Sequence, residues 1–251
     1  MELEAQQPET PPGITLLHYY SALLQRFGAQ RWWPARTRLE VILGAVLTQN
    51  TNWNNAALAL KNLRQSGLLR WDSLRRVSLE DLERLVRPAG FYRQKARTIH
   101  SFVEWLLARH RGSLHALFAQ PPQELRRQLL QLRGLGPETT DAIILYAGKM
   151  PFFVADAYTR RILARHGLLP VAADYASAQT FLHRHLPAKV ELFNEFHALL
   201  VEAGKRHCKR QEPKCDDCPL APFLPDAGAQ PQGILRDYSS GASMACPEET
   251  T

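Results

Sequence analysis

Apolar side chains return at every third or fourth position through most of the chain, the spacing that lines one face of a helix. The segments "ITLLHYYSALLQRF", "LEVILGAVLTQ", "NAALALKNLRQSG", "LEDLERLVRPAG" and "QKARTIHSFVEWLLARH" carry this pattern through the first 110 residues. "PQELRRQLLQL", "PETTDAIILYAG", "YTRRILARHGLL", "ASAQTFLHRHL" and "VELFNEFHALLVEAGKRH" continue it to residue 207. No segment alternates apolar and polar residues for long enough to read as a half-buried strand. Gly, Pro, Asp or Ser marks most junctions, so the pattern predicts an all-α protein of many helices with short connections. No repeat of fixed period is evident. Residues 1–12 and those from 226 to 251 lose the periodicity and are rich in Pro, Gly, Ala, Ser and Gln; both are read as disordered tails.

The 251 residues, 45% apolar and 22% charged, suffice for one large or two small cores of an ordinary globular protein. No apolar run reaches the roughly 18 residues of a membrane span, and "MELEAQQPETPPG" lacks the basic and apolar regions of a signal peptide. A cytoplasmic location is therefore expected. The net charge of +7 favours a polyanionic partner, whose condensed counterions clustered Lys and Arg can displace. Three of the four cysteines fall between residues 208 and 218, which in a reducing compartment points to metal or cluster ligation rather than disulfides.

Two stretches carry candidate chemistry. In "LRGLGPETTD", Gly134 and Gly136 can adopt positive φ, and Pro137 suits the first helical position. Such a turn aims backbone N–H groups at an anion, although a tight helix–helix connection needs the same residues. In "PFFVADAYTRRILARHGLL", Asp156 stands at a predicted N-cap. A capping carboxylate held ionised by the helix end can also polarise water or stabilise a developing cation, and spacing does not choose between the roles.

Together "L-x-G-L-G-x-x-T" and, some twenty residues on, "V-A-D-A-Y-x-x-R" resemble the helix-hairpin-helix and catalytic aspartate of the endonuclease III superfamily of DNA glycosylases. "GAVLTQNTNWNNA", "VRPAGFYRQKA" and the cysteine segment match in the same order, so the resemblance covers roughly residues 15–225. It implies a two-lobed fold with a C-terminal iron–sulfur-type loop. A six-helix domain of residues 40–143 would carry the hairpin, and residues 13–39 with 144–225 would form a discontinuous second lobe. Double-stranded DNA with a damaged base would lie in the cleft, bound by a monomer associated with the nucleoid.

The resemblance also assigns residues. Asp156 and Glu138 would be catalytic, the latter by orienting water beside Asp156. Gly134, Gly136 and Arg133 would bind DNA, the two glycine N–H groups facing a phosphate, with a monovalent cation bound to the hairpin carbonyls. Gln49 would plug the hole left by the flipped nucleotide, and Phe91 would wedge the opposite strand, unless it is a core aromatic. Glu138 stands where endonuclease III has a lysine that forms a Schiff base, which a carboxylate cannot do. Lys149 is a weaker candidate for that amine. A monofunctional glycosylase is thus implied. Trp32, Trp33 and Trp53 would stack a cationic alkylated purine, unless the first two pack between lobes. "RWWPART" with "G-x-E-x-x-D-A-I-I-L" is similar to the bacterial 3-methyladenine DNA glycosylase branch; an oxidised-pyrimidine or bifunctional glycosylase is the alternative, and a non-catalytic DNA-binding protein on the same scaffold is another. Cys208, Cys215 and Cys218 match three ligands of a 4Fe-4S cluster, with Leu224 at the fourth position and Cys246 as a possible substitute. Lys205, Arg206, Lys209 and Arg210 would make its loop basic.

Overall fold

The computed structural model describes residues 11–225 and Gly228, and the regular elements among them are helical, with no strand. In chain order they are α1 (Pro12–Phe27), α2 (Arg38–Leu47), α3 (Trp53–Gln65), α4 (Trp71–Leu74), α5 (Leu79–Val86), a 3₁₀ turn (Arg87–Ala89), α6 (Tyr92–His110), α7 (Leu114–Phe118) and α8 (Pro122–Leu130). There follow α9 (Pro137–Ala142), a π-helical turn (Ile143–Ala147), α10 (Ala157–Arg165), α11 (Tyr175–His185), α12 (Val190–Arg206) and a last 3₁₀ turn (Ala221–Phe223). The all-helical class expected from the apolar spacing is the class observed. The short helices α4 and α7 escaped it, since a single turn shows no periodicity.

Side-chain caps begin several helices, because the first N–H groups of a helix have no partner within it. Thr37, Asn52, Ser78, Ser113 and Asp174 accept from the N3 amides of α2, α3, α5, α7 and α11. Asp156 does the same for α10, accepting from Thr159 N at 2.8 Å. Proline opens α8 and α9, where its missing N–H leaves nothing unpaired.

Helices α2, α3, α5 and α6 pack on one another, and α6, α7, α8 and α9 follow as successive neighbours. Separately, α1 packs on α11 and α12, and α10 on α12. The π turn, buried throughout, touches α2, α8, α9 and α12 and so joins the two sets. The apolar pattern predicts one uninterrupted helix over 137–148; the structure widens its second half, where Gly148 N donates to Ile143 O at 3.0 Å. Gly148 admits the close packing there, since a Cβ would lie 2.6 Å from Ile144 O and 2.9 Å from the Phe118 ring.

The turn before α9 depends on Gly134, which has φ +92°, and a Cβ on it would lie 2.0 Å from Thr98 Oγ1 of α6. Gly136 has φ −84° and serves as the extended N-cap residue of α9, so the positive φ allowed to both glycines is used by Gly134 alone of the pair. Gly134→Ala is expected to cost roughly 1–3 kcal/mol through backbone strain and this clash. The loss should show as a lower Tm, and Thr98→Ala in the same chain should recover part of it by removing the clash but not the strain. An unchanged Tm for Gly134→Ala would contradict this packing.

Candidate active site

The segment after the π turn enters the core, and Asp156 at its end is fully buried. Its Oδ1 caps α10, while Oδ2 lies 3.6 Å from His197 Nε2 and has no hydrogen-bond partner. Burial by itself pushes the Asp156 carboxyl up, but the His197 imidazole and the Thr159 amide and hydroxyl together bring it below the ordinary carboxylate range. The ionised form of the carboxyl is thus favoured, and its second oxygen faces His197 Nε2.

His197 comes from α12, and its Nδ1 lies 2.5 Å from the Tyr146 hydroxyl of the π turn. With that hydroxyl donating to Nδ1, Nε2 carries the proton and faces Asp156, an arrangement that fixes the tautomer. Tyr146 in turn packs on Trp33, with ring centroids 5.4 Å apart. Trp33 lies 5.1 Å from Trp32 and 5.5 Å from Trp53, and Trp32 lies 5.0 Å from Trp53. The structure therefore brings the three predicted tryptophans together and links them by contact to Asp156. Trp33 is buried with an unpartnered Nε1, whereas Trp32 and Trp53 are half-buried. The glycine of "ILGAVL" makes room for this cluster, since a Cβ on Gly44 would lie 3.0 Å from the Trp33 ring.

Glu138 is buried in the first turn of α9. One turn later Asp141, fully buried, receives Arg126 at 2.6 and 3.1 Å, the Tyr175 hydroxyl at 2.8 Å and Gln179 Nε2 at 2.7 Å. Gln179 Nε2 also donates to Phe153 O at 2.7 Å, and Phe153 N donates to His183 Nε2 at 2.9 Å. The helix that carries Glu138 and the segment that leads into Asp156 are thereby tied to the same side of α11. Burial first, then the charges of Asp141 and Glu138, push the Tyr175 phenol well up, so it stays a donor. Lys149, by contrast, lies exposed beyond the π turn.

At the hairpin, Arg133 and Gly134 are exposed. Gln49, just past α2, reaches it: Nε2 donates to Gly134 O at 2.9 Å and to Thr139 Oγ1 at 2.8 Å. Phe91 is 64% exposed and has φ +43°, a left-handed conformation costly for a bulky residue. The alternative of a core aromatic is thereby rejected.

Cys208, Cys215 and Cys218 are free thiols that line one pocket, and Leu224 lines it too, at the place expected for a fourth ligand. Burial and the neighbouring thiols push Cys215 and Cys218 up. Among the described residues, no group of three or more His, Cys, Asp or Glu side chains is placed to hold a metal ion, and Cys246 lies outside the described residues. The described residues thus supply three of the four cysteines that such a cluster takes. Buried Arg165 stitches the loop to α10, donating to Cys208 Sγ at 3.1 Å, Lys209 O at 2.6 Å and Arg210 O at 2.8 Å. Of the four basic residues expected around the loop, Lys205 and Arg206 are paired with Glu202 at 3.9 and 2.5 Å.

The sequence pattern gives no role to Tyr146, His197 or Arg165, nor to Asp141, which it shows only as a motif position. Asp141, His197 and Arg165 are polar residues on buried helix faces, where an apolar count registers only a gap, and Tyr146 counts there as one more core residue. The lone histidine in "FNEFHALL" is the one that carried a visible signal, being flanked by core positions on both sides.

The family model described as "HhH-GPD superfamily base excision DNA repair protein" matches residues 43–196. A candidate DNA repair glycosylase of Methanocaldococcus jannaschii is 39% identical over 206 residues, which cover 81% of this chain and 93% of that protein. The Helicobacter pylori 3-methyladenine DNA glycosylase bound to 1,N6-ethenoadenine is 27% identical with a TM-score of 0.67, over 77% of this chain and 96% of that one. A trapped covalent intermediate of endonuclease III with DNA shares the fold, with a TM-score of 0.71 and 24% identity over 84% and 94% of the two chains. Among the described residues no helix is long and apolar enough to cross a membrane. The chain belongs to the HhH-GPD superfamily of base excision DNA repair proteins and has the all-helical fold of its endonuclease III-like glycosylases.

Proposed function

We propose that this protein is a monofunctional DNA glycosylase, which releases a flipped damaged base from double-stranded DNA and leaves the abasic strand uncut. The observation that carries the reading is the buried Asp156 carboxylate, with one oxygen unpartnered and a chain of contacts through His197 and Tyr146 to three tryptophans. In this reading the N-glycosidic bond breaks with its electron pair leaving on the base. The developing charge on the sugar is offset by Asp156, water adds to the anomeric carbon, and Asp156 takes the proton that this water loses.

The base proposed is an alkylated purine such as 3-methyladenine. A cationic ring gains from stacking on indole faces, by about 0.5–2 kcal/mol, and departs as a neutral molecule without an acid to protonate it. The tryptophan cluster supports this choice, as does likeness to a 3-methyladenine glycosylase. DNA would run between the lobe of residues 40–143 and the lobe formed by 13–39 with 144–225. The exposed hairpin N–H groups and Arg133 would take a phosphate, Gln49 would plug the gap, and Phe91 would wedge the opposite strand; the protein acts as a monomer. Exposure of Phe91 and of the hairpin supports these roles.

Asp156→Asn is expected to lower base release by roughly 10²–10⁴-fold while leaving affinity for a lesion-bearing duplex nearly unchanged. Preserved release would remove the mechanism, and wild-type protein that binds DNA but frees no base from 3-methyladenine, thymine glycol or mismatched-adenine duplexes would favour the non-catalytic reading. Wild-type protein is expected to give no strand break without alkali or heat and no covalent complex on borohydride treatment. Glu138→Lys, by placing an amine in a desolvated position, is expected to make such a complex detectable on a denaturing gel.

A further inference from the structure

Lys95, in the first turns of α6, is 2% exposed, and buried lysines ordinarily have a carboxylate partner. Here Nζ donates instead to two main-chain carbonyls, Leu47 O at 2.9 Å and Ala89 O at 2.6 Å. Leu47 ends α2 and Ala89 ends the 3₁₀ turn, so both are terminal carbonyls left over when a helix stops. A positive charge is favoured at the end of α2 by the helix dipole. Burial brings the lysine down to about 8, yet the neutral amine still has two N–H donors for the two carbonyls.

The two carbonyls share a second property. Gln49 stands two residues beyond Leu47, and Phe91 two residues beyond Ala89. One turn along α6, Thr98 Oγ1 donates to Arg133 O of the hairpin at 3.3 Å. A single face of α6 thus holds the end of α2, the end of the 3₁₀ turn and the hairpin.

We propose that Lys95 is a positioning residue that fixes the separation of Gln49 and Phe91, so that the two enter the duplex as one unit. The inference rests on the reading of these residues as plug and wedge. It predicts that their contributions are coupled through Lys95, although neither touches the other in any contact described above.

The test is a double-mutant cycle on affinity for a duplex with a tetrahydrofuran abasic analogue opposite 2-aminopurine, whose fluorescence reports unstacking. In the wild-type chain Gln49→Ala, Phe91→Ala and the double variant are expected to be non-additive, by about tenfold in Kd. In a Lys95→Met background the same cycle should be additive, and the 2-aminopurine signal of the otherwise unaltered chain should fall by more than half at saturating protein. Lys95→Arg, which keeps a cation and its donors, should restore part of both. Helical signal and melting of each variant separate a positioning loss from unfolding, and Lys95→Arg keeps the test open if Lys95→Met does not fold. Coupling that persists in Lys95→Met, or an unchanged fluorescence signal, would overturn the proposal. Wild-type protein indifferent to both Gln49→Ala and Phe91→Ala would overturn the plug and wedge assignments and this inference with them, whereas the Asp156→Asn result bears on the chemistry alone.

Discussion

A carboxylate taken wholly out of water must be compensated, and the arrangement around Asp156 is organised by that requirement. An isolated buried charge costs far more than any single packing contact returns. Three elements share the compensation: the N-terminus of α10 through the Thr159 amide, α12 through His197, and the π turn through Tyr146, which holds the imidazole from behind. These are also the elements through which the two sets of helices meet, since the π turn touches both α2 and α12. The charged centre thus borders the junction of the fold, and displacing any of the three elements would remove part of the compensation.

A second polar hub sits beside the first and gives it rigidity. Asp141 accepts from residues of α8 and α11, and Gln179 passes the connection to the Phe153 carbonyl, three residues ahead of Asp156. The burial of Asp141 makes these hydrogen bonds count, because its carboxylate would have no water to turn to if the donors were released. Helix α10 extends the same logic to the far end: Asp156 caps its first turn, and Arg165 in its last turn holds the cysteine loop. The loop is thus fastened to α10 by a guanidinium and main-chain carbonyls, contacts that do not require a bound metal.

The helices were readable because apolar spacing is a local property, and ten of the predicted segments coincide with helices in the structure. Asp156 was readable for a similar reason, since an N-cap is a local arrangement. The widened turn at Ile143–Ala147 was not, because its cause lies in packing on Gly148 rather than in the residues that widen. His197 and Tyr146 were hidden more deeply. Their pairing joins positions 51 residues apart, and each alone looks like one more member of a buried face. Phe91 could be read two ways, as wedge or as core, and its exposure removes the second.

The electrostatics of the site bear on what kind of base could leave from it. A buried anion beside faces of high electron density raises the energy of a neutral leaving group that must depart carrying negative charge, and lowers that of a cationic one that departs neutral. His197 is placed to offset this, since its Nε2 is directed at the carboxylate. The site as built therefore offers little assistance to a base that needs a proton on leaving. That asymmetry, rather than the size of the tryptophan cluster, is what supports the proposal of a cationic purine. Glu138, buried in the first turn of α9, supplies no amine, so the covalent attack on the sugar that a lysine could make there is closed to it.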